Sequence, residues 1–141
     1  MKLLNILLIV LLPWVSVSAQ TGNTVIIVNS ELKVSVLDRE TVQNIFLGKK
    51  NKWEDGNKIV PVTLQEGDTH RIFLKNIVNK NPSTFKNYWL AKVFTGKGIP
   101  PISFKEEAEL IEYVAKTKGA IGYVSANTPI INRVKVLNIT E

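Results

Sequence analysis

The chain has 141 residues, a formal net charge of +6 and no cysteine. That length is the size of about one domain, and the missing thiol excludes disulfides, thiolate metal sites, thiol catalysis and a cysteine-linked lipid anchor. The basic balance favours acidic partners in a general way. The lysines are scattered, however, and no basic run is interleaved with aromatic residues, so no nucleic-acid partner is expected.

Met1-Lys2 is a short basic start, Leu3 to Val15 is mostly apolar, and Val17-Ser18-Ala19 satisfies the small-residue rule of signal peptidase. The expected organisation is a signal peptide over residues 1–19 and one domain over residues 20–141, periplasmic or secreted, with no stable membrane insertion once the leader is removed. Pro13 and the shortness of the apolar run argue against a transmembrane helix. Retention of the run as an N-terminal anchor is the alternative. The short, cysteine-free chain looks bacterial, and an exported chain of this kind must rely on its apolar core.

Thr24-Val25-Ile26-Ile27-Val28 is β-branched and continuously apolar, the pattern of a strand covered on both faces. Val34 and Val36 alternate with polar residues and can form a second short strand. Asp38 is placed to cap a helix, with Leu37 and Val42 at the positions of a hydrophobic staple. Val42, Ile45 and Phe46 make its inner stripe and Gly48 stops it. Asp55-Gly56 marks a tight turn before a strand from Ile59 to Leu64.

The stretch that organises the chain follows. Gln65-Glu66-Gly67 turns the strand into a helix that Asp68 or Thr69 can cap. Phe73 with Ile77 and Leu74 with Val78 recur four residues apart and hold this helix against a sheet. A strand running into a helix N-terminus directs unpaired N–H groups and a positive dipole end at one spot, where α/β folds bind small anions. The alternative is a plain connection that binds nothing.

Asn81 caps a third helix with Pro82 at its first position. Phe85, Tyr88, Trp89 and Val93, widened by Leu90 and Phe94, form an apolar stripe read as core rather than as a ligand box. Gly96-Lys97-Gly98 lacks the ending of a phosphate-gripping P-loop. Ser103-Phe104-Lys105-Glu106 reads as a capping box opening the last helix, with Ala108, Ile111, Val114 and Ala115 inward and Glu107, Glu109 and Glu112 in water. Strands at Gly119–Ser125 and Val134–Ile139 close the domain. Strands alternating with helices of some ten residues define an α/β fold, helices over a mixed β-sheet. His70, the lone histidine, is expected to be a capping or surface residue. No serine stands in a nucleophile elbow and no carboxylate pair has a partner, so neither an enzyme, nor a cofactor, nor a metal site is expected.

Leu37-Asp38-Arg39-Glu40, Ile45-Phe46-Leu47-Gly48-Lys49 and Trp53 together resemble the L-(S/T)-x-(D/E)-x-(V/L)-x-x-I-F-x-G-K-x-x-x-W segment of the phosphate-type periplasmic solute-binding proteins of ABC transporters. The order continues with the Ile59–Leu64 strand, the Glu66-Gly67 turn, Phe94-Thr95-Gly96-Lys97-Gly98 and Gly119-Ala120-Ile121-Gly122-Tyr123-Val124, over roughly residues 25 to 126. The resemblance implies a stand-alone, single-lobe relative: one three-layer α/β lobe of the periplasmic-binding-protein type, where full-length relatives have two that close on ligand. It also implies a ligand site at Glu66, Gly67, Asp68, Thr69, His70 and Arg71.

The family pattern at this turn is approximately R-x-D-G-S-G-T. Here Leu64 stands at the arginine position, Asp68 at the serine position and Thr69 at the second glycine. Glu66 can still accept a proton from hydrogen phosphate, whereas Asp68 repels an anion and Arg71 offsets part of that repulsion. The partner expected is a small oxyanion such as phosphate, weakly bound or lost. The competing expectation is a non-catalytic accessory role, with the fold contacting an envelope or transporter protein.

Overall fold

The computed structural model describes residues 23–141, so the expected signal peptide at residues 1–19 lies outside the described residues. Six strands, β1 (Thr24–Asn29), β2 (Val36–Asp38), β3 (Val60–Leu64), β4 (Ile102–Phe104), β5 (Ala120–Ser125) and β6 (Val134–Thr140), form one sheet in the order β2-β6-β1-β5-β3-β4. β1 is antiparallel to both of its neighbours, while β2 with β6 and β3 with β4 and β5 are parallel pairs, so the sheet is mixed as expected.

The helices are α1 (Arg39–Phe46), α2 (Asp68–Phe73), α3 (Pro82–Phe94) and α4 (Glu107–Lys116). α1 and α2 pack on one face and α4 on the other, which explains why Ile26, Ile27 and Val28 of β1 are all buried. β5 shows the two faces residue by residue. Tyr123 stacks on Phe73 of α2 at 3.7 Å between ring centroids. Gly122 faces the other way, where an added Cβ would lie 2.8 Å from Leu110 and 2.9 Å from Val62. Asn29 then ties β1 to α4: its buried amide donates to the Val114 and Ala115 carbonyls, satisfying orphan acceptors at the helix end.

Local chemistry sets the starts of α1 and α3. Asp38 caps α1 by accepting from the Thr41 N–H at 2.6 Å, and Asn81 caps α3 by accepting from the Thr84 N–H at 2.8 Å, behind Pro82 at the first helical position. Gly48 ends α1 with φ +71°. Beyond Phe73 the helix widens into a π turn, Leu74–Val78, that ends on Asn79 in the left-handed conformation. All four expected anchors, Phe73, Leu74, Ile77 and Val78, are buried.

Three readings of the sequence need correction. Ser103 does not cap α4: Ile102–Phe104 pairs with Val62–Leu64 of β3, which puts Ser103 in a ladder, and Glu106 stands at the N-cap without a side-chain bond. Ala108 is exposed and Leu110 takes its place inside, while Glu107 accepts from the Ser125 N–H and the Thr128 hydroxyl instead of facing water. The stripe on α3 is only half core. Phe85 and Trp89 are buried, Phe85 beside His70 of α2 and Trp89 over Gly48 at the end of α1, but Leu90, Val93 and Phe94 stand in solvent.

Candidate functional site

The turn from Gln65 to Arg71 leaves the C-terminal end of β3. Its start is held by the Gln65 N–H, which donates to the Phe104 carbonyl of β4 at 2.9 Å. Gly67 adopts φ +100°, a left-handed conformation that disfavours side chains, and a Cβ there would meet nothing within 4 Å. Its carbonyl accepts from the Arg71 N–H at 3.0 Å and opens α2. Gly67 is therefore the N-cap, and neither Asp68 nor Thr69 caps as the sequence led one to expect. With no capping side chain, the first N–H groups of α2, at Asp68, Thr69 and His70, lack an intrahelical acceptor.

The charges at this turn are arranged among themselves. Arg71 donates to Asp68 Oδ1 at 3.0 Å, with the two side chains 56% and 87% exposed. Glu66 is exposed beside them. Arg71 is thus a counter-charge to Asp68 before it is one to any ligand, although a pair this exposed is weak and readily exchanged.

His70 departs most from expectation: it is buried, 5% exposed. Its Nδ1 lies 2.5 Å from the Tyr123 hydroxyl, and that hydroxyl accepts from the Leu64 N–H at 3.0 Å. Nδ1 is the one acceptor that the buried Tyr123 O–H meets among the described residues, so the hydroxyl donates to it and the imidazole proton sits on Nε2. Burial pushes the His70 pKa below its ordinary value and the Tyr123 pKa well above its own, so both groups are neutral near pH 7. The relay locks the end of β3, the start of α2 and the middle of β5 together. A tyrosine inside the otherwise apolar run Ala120–Val124 was the available signal, since a buried hydroxyl needs a partner.

His70 also lines a cavity of about 480 Å³ between α3 and the β3–β4 edge, with Leu64, Gln65, Phe85, Lys86 and Trp89 around it. Lys86 is its one charged lining residue. Leu64, at the position of the family's arginine, is 5% exposed and apolar, so no cation reaches the turn from the strand. Among the described residues, no group of three or more His, Asp or Glu side chains is placed to hold a metal ion. None of their helices is long and apolar enough to cross a membrane.

A mixed sheet with helices on both faces and a glycine turn where β3 meets α2 defines an α/β lobe of the periplasmic-binding-protein type. Residues 13–140 match the family model of the PBP superfamily domain, and the chain belongs to that superfamily. Its fold is similar to that of a chain designated a phosphate ABC transporter substrate-binding protein from Clostridium perfringens, solved with bound phosphate (18% identity, TM-score 0.67, covering 84% of this chain and 45% of that one). It is also similar to PstS from Borrelia burgdorferi (17%, 0.61, 84% and 47%) and to an ABC-type phosphate transport receptor from Vibrio cholerae (17%, 0.57, 84% and 46%). The chain thus spans less than half the length of these structures. A comparison with curated protein sequences gives no match.

Proposed function

We propose that this chain is an exported, non-catalytic solute-binding-type lobe related to phosphate uptake components, and that its Gln65–Arg71 turn takes a small oxyanion only weakly. The carrying observation is the Asp68–Arg71 pair at 3.0 Å in front of the uncapped N–H groups of Asp68, Thr69 and His70. Those groups, with the open approach over Gly67, supply donors for an anion. Asp68 and Glu66 already bring negative charge to the same place. Both carboxylates are exposed, so screening holds each repulsion to about 1 kcal/mol. Leu64 offers no offsetting cation.

Phosphate binding by the unmodified chain is therefore expected to be no tighter than roughly millimolar, about 4 kcal/mol. Asp68→Ser removes one repelling charge, adds a hydroxyl donor and frees Arg71, and should tighten binding by about a factor of ten or more, equivalent to about 1.4 kcal/mol. Paired calorimetric titrations test this. Micromolar binding by the unmodified chain, or no gain in the serine variant, contradicts the reading.

A further inference from the structure

Five of the exposed large apolar side chains, Leu90, Val93, Phe94, Ile99 and Ile102, fall within one short stretch: the end of α3, the turn after it and the start of β4. Phe94 and Ile99 are both 86% exposed and flank the Thr95–Gly98 turn. A Cβ on Gly96 in that turn would meet nothing within 4 Å, so the turn stands clear of the body. Beside it lies a second cavity of about 390 Å³, lined by Lys50, Lys58, Lys92 and Lys97 together with Ile99 and Ile102, and by no carboxylate. None of these four lysines is in an ion pair among the described residues. Lys92 donates to the Leu47 carbonyl and lies over the Tyr88 and Trp89 rings, which fixes its ammonium at this face. Across Pro100-Pro101 the first cavity adds Lys86, again with no acid. The whole segment 69–105 carries seven lysines and arginines and no aspartate or glutamate.

We propose that this surface docks on an anionic lipid bilayer, with the lysine-lined cavity meeting phosphate headgroups and Phe94 and Ile99 entering the boundary with the acyl chains. Apolar side chains on a protruding turn, flanked by unpaired cations, are the composition of an interfacial anchor. The charge complementarity decides for an anionic surface. The exposure of Phe94 and Ile99 decides for lipid over an acidic protein: Phe94 lines none of the cavities, and Ile99, though it borders the second one, leaves 86% of its surface in solvent. Strand addition by a peptide is disfavoured, since β4 is three residues long and preceded by Pro100-Pro101, which blunts the edge. The inference is independent of oxyanion binding at the turn after β3.

The chain has no native cysteine, so Thr95→Cys carrying an environment-sensitive NBD label reports on this turn alone, whatever the N-terminal apolar segment does. With vesicles of phosphatidylcholine containing about 30% phosphatidylglycerol, the label should brighten and shift to the blue, and about 0.5 M salt should weaken the response. Phosphatidylcholine alone, or soluble glycerol phosphate, should leave it unchanged. Adding Phe94→Ser with Ile99→Ser should weaken the response at least about tenfold, and Lys97→Gln about fivefold. Circular dichroism should show both variants folded, because the replaced side chains are exposed. No response to the anionic vesicles, an equal response to neutral ones, or an undiminished response in the double serine variant overturns the proposal.

Discussion

Replacing Tyr123 with phenylalanine isolates the relay beneath the turn. The ring stays, so its stack on Phe73 at 3.7 Å and its edge contact with Phe46 at 6.0 Å are kept, and only the hydroxyl goes. Two buried groups then lose their partner, the Leu64 N–H and His70 Nδ1. A buried polar group left unsatisfied costs about 1–3 kcal/mol, and His70 at the cavity wall recovers part of its share by turning or by meeting water. The expected loss is therefore about 2–4 kcal/mol, large beside a total stability of roughly 5–15 kcal/mol for a domain. Urea denaturation followed by circular dichroism measures it, with Tyr113→Phe as the control. Tyr113 is half-buried against Phe104 and should change by less than about 0.5 kcal/mol on losing its hydroxyl. A Tyr123→Phe loss below about 1 kcal/mol, or one equal to the control's, refutes the relay.

The burial of His70 also makes stability depend on pH. Burial holds the folded-state pKa of His70 below its ordinary value of 6.5, so below that pH the unfolded chain binds a proton that the folded chain refuses. Stability is then full above about pH 6.5 and falls as pH drops toward the folded value, by at most about 1.4 kcal/mol per unit for one group. Urea midpoints across that range should show this slope, and His70→Gln should flatten it. Gly119→Ala should cost about 3 kcal/mol or more, because Gly119 has φ +84° and a Cβ there would lie 2.3 Å from the Lys58 carbonyl oxygen; a thermal shift under a degree would contradict this. Asn29→Ala should cost about 2 kcal/mol by unpairing the C-terminal end of α4, read as a fall in denaturation midpoint.

The elements with strong local signals were legible in the sequence. The apolar run of β1, the caps at Asp38 and Asn81 and the glycine stop at Gly48 each follow from chemistry within a few residues, and the structure places them as read. β4 was not legible because its strand character comes from pairing with β3, forty positions away, whereas Ser103–Glu106 carries a local capping pattern that nothing in the sequence outbids. His70 failed for the same kind of reason. Its position at a helix start indicates a surface residue, and only the fold brings Tyr123, 53 residues further on, within hydrogen-bond reach. The stripe on α3 had the right period but an unreadable limit, since which of its residues meet α2 and the end of α1 is a property of the assembled lobe.

The placement of the oxyanion at the Gln65–Arg71 turn is tested most directly by titrating phosphate into isotopically labelled Asp68→Ser protein and following backbone amide shifts. Saturable shifts centred on residues 68–70 are expected, with smaller ones at Gly67 and Arg71, and the same pattern at higher phosphate concentration in the unmodified chain. Shifts centred instead on the cavity of Lys50, Lys58, Lys92 and Lys97, with residues 68–70 unmoved, would contradict it.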